Sequence, residues 1–155
     1  MTEPRPSQNQ LERLIGVLAH ARLRPGMYMN LSSTSAIQNY FHGFLMPLNL
    51  VGVEFKDEEI LIERGWHVGN HWLIAEMQNQ GFTDQQIVTE VFSVLIIALV
   101  RQYNLSTESV QQAHAKIRET AENGLQADKL NPETRTRHEY ELEIMSSLEK
   151  DLGIV

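Results

Sequence analysis

An all-α domain wrapped around one hydrophobic helix is the fold this sequence predicts. Three observations carry the expectation. Apolar residues recur at helical spacing through most of the chain, as in Leu11, Leu14, Ile15 and Leu18. A Ser or Thr followed three residues later by Gln occurs at Ser7–Gln10, Ser35–Gln38 and Thr83–Gln86, the signature of a capping box. The run from Val91 to Val100 is apolar apart from Ser93 and is bounded by Glu90 and Arg101. A membrane span needs about 20 apolar residues, so this run reads as a buried core helix.

The elements follow in chain order. Ser7 opens a helix over 8–23, and Pro25 stops it. Gly26 is expected to supply the positive φ that a type II turn takes after proline, with Met27 and Tyr28 folding back as apolar anchors. The polar cluster Asn30 to Ser35 offers several N-caps, with Ser35 and Gln38 in capping-box register, for a second helix over 35–46; its face of Ile37, Tyr40, Phe41, Phe44, Leu45 and Leu48 is expected to be the strongest amphipathic face in the chain, and Pro47 to end or kink it. Between 49 and 66, Val51, Val53 and Phe55 alternate like an extended segment, while Asp57 to Ile62 can start a helical turn. A loop at Gly65-Trp66 leads into a helix over about 70–80, closed by Gly81. The hydrophobic helix at 83–103 is central and needs cover from 8–23, 35–46 and 106–123. Gly124 is expected to stop the helix over 106–123. Asn131-Pro132-Glu133 then starts the last helix, 132–151, with a cap, a proline at the first position and an acid in the first turn. About six helices in a single domain over 1–155 result. The polar stretch 124–131 is the candidate hinge, and 132–151 is the candidate homodimer-forming helix.

Composition narrows the function. The 155 residues suffice for a real core, and a hydrophobic fraction of 42% is ordinary for a globular chain. A formal net charge of -7 argues against nucleic acid as a partner, because phosphate affinity comes from Lys and Arg. The same charge favours encounter with another protein, a basic one above all. With no cysteine, disulfides and thiolate metal sites are excluded. The polar, proline-containing start Met1–Pro6 is unlike a secretory signal, so the expectation is a cytoplasmic protein without membrane association. No cofactor is expected.

The residues that stand out for binding are Arg24, Tyr28, Tyr40, His42 and Trp66. Arg24 and its neighbour Arg22 are potential anion contacts beside the turn. His42 sits one position off the apolar face of its helix, where it could meet a carboxylate across a groove. His67 and His71 stand four residues apart, the spacing that aims two imidazoles at one metal on a helix. Gly69 between them and the missing Glu after His67 weaken the zinc-protease pattern; a metal-binding helical protein or metal-dependent hydrolase using His67 and His71 stays as the alternative. The acidic runs Asp57–Glu59 and Glu139, Glu141, Glu143 read as solvated faces.

Arg24-Pro25-Gly26-Met27-Tyr28, placed between two helices, resembles the opening of the gyrase and mismatch-repair type ATPases over residues 14–45. Those enzymes need a catalytic Glu and an Asn-containing box on the second helix. This chain has Gln38, Asn39, His42 and Gly43 there and no Asp-x-Gly-x-Gly motif, which removes the ATPase reading. Taken with Tyr40–Leu45, Gly65-Trp66 and Phe92–Val100, the turn is similar to a group of small bacterial helical proteins. Several of these look like immunity proteins of toxin systems. The similarity spans roughly 11–104 and departs at Met29-Asn30 and in the extra C-terminal helices. It implies a helical fold and a non-enzymatic protein-interaction role, of immunity or regulatory type.

Overall fold

Capping signals turn into helices at nearly every predicted place. The computed structural model describes residues 5–31, 33–67, 72–127 and 129–154, and among them seven α-helices and no strand occur. They are α1 (Gln8–Leu23), α2 (Thr34–Leu50), α3 (Glu58–Glu63), α4 (Leu73–Asn79), α5 (Asp84–Tyr103), α6 (Glu108–Leu125) and α7 (Pro132–Asp151). At the start of α1, Ser7 Oγ accepts from the Gln10 amide at 3.2 Å, and Gln10 Oε1 accepts from the Ser7 amide at 2.8 Å. Thr83 and Gln86 repeat this arrangement at α5, and Asn131 Oδ1 caps α7 through the Glu133 amide at 2.8 Å.

The core is organised by α5. Nine consecutive residues, Val91 through Leu99, are buried, so cover is needed on every side. By length and composition α5 would suit a membrane span, yet 61% of that window is buried within the chain. Helices α1, α2, α3, α4 and α7 all pack on it. The expected cover from 106–123 is different: α6 packs on α1 and α7 instead. Small residues permit the close α1–α6 approach. A Cβ at Gly16 would lie 3.0 Å from Ser109 Cβ, and Ser109 Oγ donates to the Glu12 carbonyl. Glu12 Oε1 also accepts from the Ser106 amide at 3.0 Å.

Several local expectations are corrected. Of the N-caps offered between Asn30 and Ser35, Ser33 is the one used, its Oγ accepting from the Ala36 amide at 3.3 Å, and the Ser35–Gln38 register is not. It passes through Pro47 to Leu50. Proline there removes one helical hydrogen bond to Gly43, and both residues face solvent, where that carbonyl can be hydrated. The stop is Gly52, at φ +83, where the Val53 amide returns to the Leu48 carbonyl at 2.9 Å. The ambiguous segment 49–66 holds α3, not a strand, and Val53 is its buried anchor.

The turn after α1 is a 3₁₀ turn over Pro25–Met27. The Met27 and Tyr28 amides donate to the Arg24 and Pro25 carbonyls at 3.1 and 2.9 Å. Two such successive bonds keep the backbone right-handed, so Gly26 is not among the positive-φ glycines. Met27 is 71% exposed, and the buried anchor is Met29. The predicted type II turn and its Met27 anchor are therefore replaced by a helical turn that delivers Met29 to the core.

The C-terminal helix does not stand apart. Met145 and Leu148 are fully buried, and α7 packs on α6, α1 and α5 of its own chain. Ile144, Met145 and Leu148 of its apolar stripe pack within the chain. Gly124, expected to stop α6, lies inside it and serves this packing. A Cβ at Gly124 would meet the buried His138 ring at 2.5 Å.

Gly124→Ala should therefore destabilise the protein by about 1–3 kcal/mol, despite alanine's better helix propensity. Adding His138→Ala should recover a large part of that loss. Urea denaturation of the single and double variants checks both, and a stabilised Gly124→Ala would refute the contact.

Candidate functional site

Helix α1 ends in alternate arginines that go opposite ways. Arg22 continues the buried stripe of Leu11, Ile15 and Leu18, and it is only 2% exposed. Its Nε donates to Ser93 Oγ at 2.9 Å and one terminal nitrogen donates to the Ile144 carbonyl at 2.7 Å. Ser93 passes its own hydroxyl hydrogen to the Thr89 carbonyl at 2.8 Å, and Thr89 Oγ1 lies 3.0 Å from Tyr140 Oη. Gln85, Thr89 and Ser93 follow one another at four-residue spacing, so one line of α5 is polar. A seam of hydrogen bonds therefore joins α1, α5 and α7 inside the core. Burial pulls the Arg22 guanidinium down to about 10, and among the described residues no carboxylate is in direct contact to oppose it.

Arg24 faces outward. With Leu23, Pro25, Gly26 and Met27 it forms one wall of a cleft of about 330 Å³, and Arg137, Tyr140 and Glu141 of α7 form the other. Glu141, expected on a solvated face, is 2% exposed. It falls on the inward line His138, Glu141, Met145, Leu148, spaced 3, 4 and 3 residues. The Arg24 and Arg137 guanidiniums approach its carboxylate at 3.8 and 3.6 Å, and His138 Nδ1 at 3.8 Å. All three are beyond hydrogen-bond range. Glu141 Oε2 and His138 Nδ1 are buried without a hydrogen-bond partner.

The other predicted contacts do not converge on this cleft. Tyr28 Oη meets His20 Nδ1 at 2.9 Å, its ring edge-on to the imidazole, which lays it back along α1. Tyr40 stacks parallel to Phe44 and edge-on to Phe41 and Phe92; burial pushes its phenol upward, with Tyr28 adding to the effect. His42 is exposed on α2. Trp66 sits after α3, where Gly65 adopts φ +85 and the Trp66 amide returns to the Leu61 carbonyl at 2.8 Å. Its Nε1 donates to Glu90 Oε1 at 3.2 Å, and its ring meets Phe82 edge-on. Arg64 grips the same Glu90 through two bonds, 2.5 and 3.0 Å, and reaches Asp151 at 2.5 Å. Burial acts upward on the Glu90 carboxyl, but Arg64 and the Trp66 bond hold it below the usual range.

His67 is exposed, and His71 lies outside the described residues. Among the described residues no group of three His, Asp or Glu is placed to hold a metal ion. No protein-family model matches the chain, and no curated protein or solved structure matches it.

A second buried ionic cluster ties α6 to α7. His114, fully buried, places Nδ1 2.8 Å from Glu149 Oε1, which also accepts from Arg118. Burial lowers the His114 pKa, and the pull of Glu149 does not restore it. Burial acts upward on Glu149, yet the bonds from His114 and Arg118 hold its carboxyl below the ordinary range. His20 is lowered too, by burial and by Arg24 and Lys116.

These shifts fix a sign. The unfolded chain takes up protons on His114 and His20 near pH 6.5, where the folded chain resists them. Stability should therefore fall as pH drops below about 6.5, with a further loss as Glu149 protonates below its ordinary pKa. Urea midpoints measured from pH 7.5 to 5.0 should decrease, less steeply in His114→Leu; a flat or rising profile contradicts the assignment. Replacing Arg22 separates packing from charge. Arg22→Ala should lose about 3 kcal/mol by opening a cavity, whereas Arg22→Met should stay within about 1 kcal/mol of the parent. Equal losses in the two variants would show that the charged bonds dominate.

Proposed function

We propose that the protein is a non-enzymatic interaction domain, an immunity-type or regulatory partner of another, basic bacterial protein. The observation that carries this reading is the far end of α2. This helix carries the apolar face of Ile37, Tyr40, Phe41, Phe44, Leu45 and Leu48, yet at its end Met46 is 58% exposed, Leu50 is 80% exposed and Val51 is also open to solvent. Beside them Leu11, Leu14, Leu48 and Val53 line an apolar cleft of about 490 Å³, edged by Arg5 and Pro6. Exposed Glu54, Glu58 and Glu59 follow in the chain. An apolar centre with acidic residues close by in a chain of net charge -7 suits a basic protein, since the apolar centre supplies affinity and the carboxylates supply encounter.

The partner to try first is any toxin-like protein encoded next to this one. Co-expression should yield a complex on size exclusion whose affinity falls with added salt. Leu50→Lys should weaken it by about tenfold or more while leaving the thermal midpoint unchanged, because that side chain is solvent-exposed. A complex indifferent to Leu50→Lys, or none at all with the neighbouring product, would count against the reading.

A further inference from the structure

The cleft at the other end of α1 has a different chemistry. Elsewhere in this molecule arginine–carboxylate pairs close to hydrogen-bond distance: Arg64 takes Glu90 at 2.5 and 3.0 Å and Asp151 at 2.5 Å. Arg24 and Arg137 stop at 3.8 and 3.6 Å from Glu141, and Glu141 Oε2 remains buried with no donor. A buried carboxylate oxygen is normally hydrogen-bonded, so an orphan oxygen on a residue that lines a cleft marks a place where a donor can draw the carboxylate toward the cleft. The two guanidiniums carry one positive charge more than Glu141 offsets, and their forks are shaped for a carboxylate. One molecule satisfies both requirements when its cation and its carboxylate sit on a single carbon. The rest of the lining is apolar at Leu23, Met27 and Leu31 and polar at Gln85, and the volume of about 330 Å³ limits the guest to a small molecule.

We propose that this cleft binds a free α-amino acid with an apolar side chain. Its ammonium donates to Glu141, its carboxylate bridges Arg24 and Arg137, and its side chain lies against Leu23, Met27 and Leu31. This assignment is independent of the partner surface at the end of α2.

Isothermal titration of the full chain with L-leucine, L-methionine and L-phenylalanine tests it. At least one should give a saturable isotherm, and N-acetyl-L-leucine and L-leucinamide, each lacking one of the two charges, should bind about tenfold more weakly or worse. Arg137→Gln, at a side chain 65% exposed, should fold normally and lose binding to a similar degree. Glu141→Gln should lose recognition of the ammonium, so that leucine and its N-acetyl form no longer differ. The proposal is overturned by no heat with any amino acid up to about 10 mM. It is equally overturned by N-acetyl-leucine or leucyl-glycine binding as tightly as leucine, or by unchanged binding in Arg137→Gln.

Discussion

Covering α5 on its whole circumference is the constraint from which the other placements follow. With Val91 through Leu99 all buried, no two-layer arrangement suffices, and helices must approach from every direction. Long α1 and α7 and short α3 and α4 do this in different sectors. Helix α6 is left to brace α1 and α7 from outside, where Gly16 against Ser109 and Gly124 against His138 allow close approach. A helix expected on the core thus becomes a clamp on the helices that form it.

The one polar line on α5 decides which of those helices meet. Thr89 and Ser93 give their hydroxyl hydrogens to the Gln85 and Thr89 carbonyls one turn back, which leaves each oxygen to accept from another helix. They are met by Arg22 from α1 and Tyr140 from α7. Arg22 supplies an always-charged donor whose long stem fills space between helices, and its charge is held by a hydroxyl and a main-chain carbonyl. Such a seam contributes less to stability than to register, because sliding α1 by one residue would point Arg22 away from Ser93.

The fold was legible where local chemistry dictates structure, at Ser7–Gln10, Thr83–Gln86, Asn131-Pro132 and the Val91–Val100 run. What failed were inferences about residues whose roles are set across helices. Gly26 looked like a type II turn residue because Pro-Gly favours one in isolation, but the following 3₁₀ bonds prevailed. Pro47 and Gly124 looked like stops because both disfavour helix interiors, and solvent exposure in one case and a neighbouring ring in the other account for their tolerance. Of the site, Arg24 was visible and Glu141 was not, since a charge in an acidic run reads as solvated. The signal was present nonetheless: Glu141 lies on the line of His138, Met145 and Leu148, as Arg22 lies on that of Leu11, Ile15 and Leu18. Following each buried stripe through its charged members would have found both.

Seam and cleft share a residue. Tyr140 bonds Thr89 with its hydroxyl and lines the cleft with its body, between Arg137 and Glu141 on one side and Ile144 on the other. The 3₁₀ turn couples the same two places from α1, since it holds Arg22 inward and Arg24 outward across two residues. Of the two gaps at Glu141, the one to Arg137 lies within α7 at i, i+4 spacing and the one to Arg24 crosses from the turn after α1. Glu141 thus stays unbonded at the edge of the cleft, while the arginines of the Arg64 and Arg118 clusters have closed on their acids.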